Sequence, residues 1–375
     1  MKIYLIGKCV EPGMDTRNIN MIDILLSIGN IYYDGFFLTE SLRNKYLRKI
    51  LNFFIEVLKF PIKVLYLLNS DTVIILAMNQ SKIFDIYLAK LLKKKIITDY
   101  YISNYDTQIL DRKNYSSKSI RAKLYKLQDK TAISKANKVI FLNKIEAKRY
   151  INLTGIKEEK INYEIIPLCK KELDFEKSEL PFFKKNNKII TICWWGTYIP
   201  LHGLEKIILA GEILKKKNIK FRIYLFGNSE EKAKPYREKI KNLNLDNEII
   251  VNNEYSFLNR KLPEFLINNC DIALGNFGDS EKAKTVMLNK IVDALQLELP
   301  ILNGESIAPN EFFDYRNDIF RCLNTPEDIA NKIIEISKVS KEEIEKRVIR
   351  EYEIYKENFS YQAFEEKIKK IINNI

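Results

Sequence analysis

Short apolar runs that give way to Gly, Asn or Asp recur along the whole chain. They occupy residues 2–7 (KIYLIG), 72–78 (TVIILAM), 95–100 (KIITDY), 138–143 (KVIFLN), 189–196 (IITICWWG), 221–227 (FRIYLFG), 270–275 (CDIALG) and 299–304 (LPILNG). Apolar residues fill consecutive positions in these runs instead of alternate ones, which predicts strands buried on both faces of a parallel sheet. Between them the apolar positions return every three or four residues, as in 204–217 and 282–298, and predict helices. Strand and helix in alternation define an α/β fold with right-handed crossovers. Residues 167–187 are rich in Pro and charge, separate two such series, and read as a linker between two Rossmann-like domains. Residues 340–375 are helical in pattern almost throughout. In open α/β sheets ligands bind outside the carboxyl ends of the strands, so function belongs in the loops after these runs.

Composition narrows the partner more than the fold. The 375 residues carry 62 Lys+Arg against 49 Asp+Glu, a net charge of +13, which favours something anionic: nucleic acid, a lipid surface or a phosphorylated small molecule. Nucleic acid fits poorly, because the basic residues are scattered among abundant acidic ones and no DNA- or RNA-binding motif is present. Cys9, Cys169, Cys193, Cys270 and Cys322 are odd in number and lack a CxxC pair, which argues against disulfides and zinc and for a reducing cytoplasm. The N-terminus reads as a first strand, not a signal peptide. The nearest approach to a spanning helix, residues 51–68, is interrupted by Glu56, Lys59, Pro61 and Lys63. Residues 43–68 mix Lys and Arg with large apolar side chains. They suit either a basic amphipathic helix lying in a membrane interface or a core-facing helix with an exposed basic side.

Two loops concentrate candidate chemistry. Residues 194–205 (WWGTYIPLHGLE) hold both tryptophans and the single histidine. Gly196 and Gly203 let the backbone approach a ligand, and the helix that follows offers free N–H groups to an anion. The competing reading makes His202 a helix-start residue and the tryptophans core packing. Residues 275–293 (GNFGDSEKAKTVMLNKIVD) place Lys282, Lys284 and Lys290 near a helix start, where the dipole disfavours cations. A bound anion would resolve that conflict; a solvated basic loop is the plainer account. In the first half, the loop after residues 95–99 runs from Asp99 through Ser103, Tyr105, Asp106, Asp111 and Arg112. This polar set suits an acceptor, with Asp99 and Asp106 as candidates for proton removal. Residues 11–17, with Gly13 and Arg17, form a second candidate on the acceptor side.

The pieces WGTYIPLHGLEKII, FRIYLFG, LPEFLINNCDIALGNFGDSEKAK and NKIVDALQLELPIL, in that order over roughly residues 190–335, resemble the C-terminal domain of family 4 glycosyltransferases. The resemblance implies a retaining enzyme of the GT-B fold, with two facing Rossmann-like domains and a C-terminal helix crossing back to the first. The domains would span 1–167 with 355–375, and 188–354. It also implies a nucleotide-sugar donor as co-substrate, with no further cofactor. The family's glycine-rich turn falls on Gly196 to Gly203, with His202 where a phosphate-binding lysine is common and Thr197 where an arginine is common. Its Glu-x7-Glu motif falls on Thr285 to Asp293. Asp293 would bind the ribose hydroxyls, and the amides of Val286, Met287 and Leu288 would lie against the diphosphate. Gly227, closing the second strand of that domain, joins the donor side, and Gly13 matches the family's glycine-bearing first loop.

Because the arginine is missing, Lys282, Lys284 or Lys290 would neutralise the diphosphate. No DxD-type carboxylate pair follows a strand of the second half, so metal-independent catalysis is expected. The reading that emerges is a cytoplasmic enzyme of bacterial surface-glycan synthesis, acting on a glycan or lipid-linked acceptor, with a peripheral place at the inner face of the membrane left open. The departures at Thr285 and Thr197 keep a non-catalytic GT-B partner subunit as the alternative.

Overall fold

The computed structural model describes residues 1–8, 16–33, 51, 54–173 and 189–375. Gly13, most of the expected linker and residues 43–50 lie outside the described residues. The chain divides into two compact units, Met1–Pro167 with Glu365–Ile375, and Leu168–Phe364.

The first unit is built on β1 (Lys2–Ile6), β2 (Asn30–Tyr33), β3 (Thr72–Ile75), β4 (Lys95–Asp99), β5 (Lys138–Phe141) and β6 (Tyr163–Ile165). All six are parallel, in the order β2-β1-β3-β4-β5-β6. The second unit uses β7 (Ile190–Trp195), β8 (Phe221–Phe226), β9 (Ile249–Asn252), β10 (Ile272–Leu274), β11 (Ile301–Asn303) and β12 (Phe320–Arg321). These too are parallel, in the order β12-β11-β10-β7-β8-β9. Helices cover the sheets, so central strands are apolar on both faces. Ile6, Val73, Ile75 and Phe141 anchor one core, and Ile192, Trp194, Ile223, Leu225 and Leu274 the other. Each unit is Rossmann-like. Strand order reverses between β1 and β3 in the first and between β7 and β10 in the second, and such a reversal opens a crevice at the strands' carboxyl ends.

All eight runs read from the sequence are strands. The four strands that the pattern missed, β2, β6, β9 and β12, are the four sheet edges. Half-exposed edge strands need no continuous apolar run, and these are short.

One expected helix is corrected. Residues 282–298 are not continuous but split into Glu281–Thr285 and Asn289–Gln296. Val286 and Leu288 between them are extended, with ψ of 143° and 144°. An unbroken helix would give the Lys284 carbonyl to the N–H of residue 288. That carbonyl instead accepts from Ile307 N–H at 2.7 Å and from the Ser306 hydroxyl at 3.1 Å. A contact from 22 residues away breaks the helix.

Candidate functional site

The crevice between β7 and β10 gathers both loops of the second unit. Gly196 follows β7 with φ +146°, a region L side chains rarely adopt, and any Cβ there would stand 3.5 Å from His202 Nε2 and 3.5 Å from Lys290 Nζ. Gly203, at φ +64°, ends the short turn Pro200–His202 and packs against the Phe277 carbonyl, where a Cβ would sit at 2.4 Å. The two loops therefore touch backbone to backbone, and Phe277 N–H donates to His202 C=O at 3.3 Å.

Three basic or aromatic groups meet at Gly196. The Lys290 ammonium lies 4.2 Å from the centre of the Trp194 ring, and the His202 ring meets the same indole edge-on at 5.6 Å. Lys290 and His202 are both buried, and neither Lys290 Nζ nor His202 Nδ1 has a hydrogen-bond partner. Burial pushes the Lys290 amine well below its ordinary value of 10.5, against the pull of Asp293. Burial, helped by the charge of Lys290, likewise pushes His202 well below 6.5, so its imidazole is neutral. An ammonium with only a π-face for company is costly, and an entering anion would relieve that cost.

The helix break adds donors to the same loop. Val286 N–H is spent on the Lys282 carbonyl at 3.1 Å, which removes it from the expected diphosphate set. Met287 and Leu288 N–H find no acceptor among the described residues. Both precede the helix Asn289–Gln296, whose N-terminal dipole favours negative charge. Asp293, one turn further on, is buried and held: Trp195 Nε1 donates to its Oδ2 at 3.1 Å, and Lys170 Nζ lies 2.9 Å from its Oδ1 as an ion pair.

Other expected donor-side residues stand differently. Thr285 is tied to the backbone, its hydroxyl donating to the Glu281 carbonyl at 3.0 Å. Lys284 is exposed and paired with Glu281 at 3.0 Å, so it is corrected to a surface residue. Lys282 is buried and Thr197 exposed. Gly227 abuts Tyr198, whose hydroxyl donates to Asn253 Oδ1 at 2.7 Å; a Cβ at 227 would overlap the Tyr198 ring at 2.1 Å.

In the first unit the expected proton acceptors are paired with arginines, Asp99 through both oxygens and Asp106 through Oδ1 alone, its Oδ2 being buried without a hydrogen bond. Arg17 Nε donates to Asp99 Oδ2 at 2.8 Å and to Oδ1 at 3.0 Å, both side chains being buried, and Arg17 also reaches the Pro167 carbonyl at 2.8 Å. Arg17 is thus a strut and not an acceptor ligand. Asp106 is fully buried, with Arg149 at 2.5 Å. Asp129 went unnoticed in the sequence. It accepts from the Ser103 hydroxyl at 2.6 Å, Asn104 N–H at 3.1 Å and Tyr105 N–H at 2.9 Å, and so shapes the loop after β4. Its helical spacing gave no sign of this, since its partners lie some 24–26 positions away. Asp111 and Arg112 stand at the end of the π-helical turn Asp106–Asp111, Asp111 half-buried and Arg112 exposed.

No protein-family model and no curated protein sequence matches the chain. Solved structures do: the chain has the fold of the GT-B glycosyltransferases. HepE of Anabaena in complex with UDP-glucose is similar with a TM-score of 0.67 at 13% identity, over 100% of each chain. A trehalose-6-phosphate synthase, analysed for glycosyl transfer with retention, is similar at 0.65 and 11% identity, over 100% of this chain and 99% of that one. WaaG, a glycosyltransferase involved in lipopolysaccharide biosynthesis, is similar at 0.64 and 9% identity, over 98% of each chain.

Proposed function

We propose that the protein is a retaining glycosyltransferase. It would move a hexose-type sugar from a nucleotide-sugar donor to a glycan or lipid-linked acceptor, without a metal ion, in the cytoplasmic stage of bacterial surface-polysaccharide synthesis. The observation that carries this reading is the buried ammonium of Lys290 beside His202 and Gly196, at the strand-order reversal of a GT-B unit. A diphosphate seated there would meet Lys290, the imidazole of His202 and the N–H groups of Met287 and Leu288, while Asp293 would face the ribose. Of the three candidate lysines, Lys290 is the one assigned to the diphosphate.

The chemistry suits these groups. As the bond between the anomeric carbon and the phosphate oxygen breaks, its electron pair stays on that oxygen, and preorganised donors stabilise the growing charge by about 3 kcal/mol each. The acceptor oxygen bonds to the anomeric carbon on the same face. Its proton is assigned to the leaving phosphate oxygen, since Asp99 and Asp106 are held by arginines. The likenesses to HepE with UDP-glucose, to a retaining synthase and to WaaG support the donor, the stereochemistry and the pathway class in turn.

A thermal-shift panel with UDP, GDP, CMP and ADP and their sugar conjugates, with and without magnesium, tests the donor site. One nucleotide class should raise Tm independently of magnesium, since a ligand at a hundredfold excess over Kd stabilises by about 2.7 kcal/mol. Donor affinity unchanged in both His202→Ala and Asp293→Ala would place the site elsewhere. Turnover of labelled donor that survives chelation supports metal independence.

A further inference from the structure

Asp293, given to the ribose in the reading above, does not stand open. Its Oδ2 accepts from Trp195 Nε1 at 3.1 Å. Its Oδ1 is buried without a hydrogen bond, and the Lys170 ammonium lies against it at 2.9 Å. The same ammonium stands 5.9 Å from the centre of the half-buried Phe257 ring, in the loop after β9. One lysine thus covers a carboxylate that vicinal hydroxyls would use and an aromatic face on which a base could stack.

The backbone puts the lysine there. Lys170 N–H donates to the Phe359 carbonyl at 3.0 Å, and the Lys170 carbonyl accepts from the Tyr355 hydroxyl at 3.1 Å. Gln296, on the helix that carries Asp293, donates to the Lys171 carbonyl at 2.6 Å and to the Tyr355 hydroxyl at 3.1 Å. The main chain at 170–171 is therefore tied to that helix and to the end of the helix Lys341–Asn358. The Lys170 side chain, by contrast, keeps 19% of its surface in water, against 5% for Asp293. A lysine with a fixed Cα and a flexible four-carbon stem can leave its partner without disturbing the fold. While the site is empty the ammonium has reason to stay, because a buried carboxylate left without its cation is costly.

We propose that Lys170 is a built-in competitor of the donor nucleoside, holding the ribose place in the empty site and swinging off Asp293 when a nucleotide enters. The proposal rests on the donor reading and adds a condition to it. Vicinal hydroxyls cannot reach Oδ1 while the ammonium covers it, so binding at the ribose end is coupled to release of the ion pair. A ligand that supplies only phosphate meets Lys290 and leaves Lys170 in place. A nucleotide meets both ends, and its contacts at the Lys290 end help to displace the lysine. Apparent affinity falls by the fraction of empty molecules in which the place is open, so a pair closed in about nine of ten withholds about tenfold.

Calorimetric titration of the full chain with UDP, GDP, CMP and ADP, and with inorganic pyrophosphate, reads the competition. Lys170→Met should bind the nucleotide that the wild type binds at least about fivefold more tightly. Pyrophosphate, which has no ribose, should gain nothing. Lys170→Gln, whose neutral amide leaves the carboxylate a hydrogen-bond partner, gives the same direction should the methionine variant fold poorly. Lys170→Arg restores the charge and should bind no tighter than the wild type. Nucleotide affinity unchanged or lowered in both Lys170→Met and Lys170→Gln makes the lysine a support of the site and overturns the proposal. So does an equal gain for pyrophosphate, which would be a change at the phosphate end. Nucleotide binding that Asp293→Ala weakens and neither Lys170→Met nor Lys170→Gln strengthens therefore sinks the competitor alone. No nucleotide binding to the wild type or any variant sinks the donor reading, and the competitor with it.

Discussion

Lys290 holds its ammonium 4.2 Å above the ring of Trp194, buried and without a hydrogen-bond acceptor, on the far loop from the tryptophan that receives it. The two residues are distant in sequence and adjacent across the β7–β10 reversal. Their contact leaves a buried amine whose charged form is disfavoured until an anion enters beside it.

Lys290→Met should therefore separate stability from binding. Removing an unpaired buried charge should leave stability unchanged or raise it by about 1–3 kcal/mol, by analogy with buried ions replaced by apolar residues of similar volume. Nucleotide affinity should fall at least about tenfold, the loss of one charge-assisted contact. Denaturant unfolding and calorimetric titration measure the two effects, and a lower stability with intact affinity would make Lys290 a structural residue.

The pH dependence has a definite sign. The amine of Lys290 is lowered in the folded protein, so between that value and 10.5 the unfolded chain binds the extra proton. Stability should rise with pH through this window, and the Lys290→Met variant should lack that rise. His202 acts likewise at lower pH: its penalty appears as pH falls below 6.5 toward its lowered value. His202→Gln should flatten that acid limb in a Tm-against-pH profile.

Gly196→Ala should cost on two counts. The φ of +146° strains any L side chain by about 1–3 kcal/mol. The added methyl would also stand 3.5 Å from His202 Nε2 and Lys290 Nζ, in the space assigned to the donor. Lower Tm together with loss of the nucleotide shift is expected; loss of Tm alone would move the donor away from Gly196.

Arg17→Met should destabilise by about 3–5 kcal/mol, because it leaves the buried Asp99 carboxylate unpaired. Arg17→Met/Asp99→Leu should recover much of that loss. Turnover per folded molecule should be retained in the double variant, and its collapse would return Asp99 to the catalytic set.

Glu351 is buried with both carboxylate oxygens lacking a hydrogen bond, and burial, with Asp318 nearby, raises it well above 4.5. The folded state thus holds a proton that the unfolded chain gives up above 4.5. Its contribution is full below 4.5 and is lost as pH rises toward the raised value. Glu351→Gln should remove that decline, read as a smaller Tm drop between acid and neutral pH.

Much of this was settled by local pattern. Mostly apolar runs mark the eight inner strands because a strand covered on both faces holds few polar side chains, the exposed Arg222 of β8 being an exception, and Gly196 and Gly203 mark turns only glycine makes easily. The same periodicity joined residues 282–298 into one helix. It could not register that Ile307 and Ser306 take the Lys284 carbonyl. Asp99 and Asp106 looked like free carboxylates for the same reason, their arginines lying 82 and 43 positions away. Sequence alone determined the two-sheet α/β architecture and the loops that carry the candidate site, since those follow from neighbours along the chain. Which lysine is unpaired, which amides are unspent and which carboxylates are neutralised were decided by the tertiary structure, because each depends on a partner that only folding brings within hydrogen-bond reach.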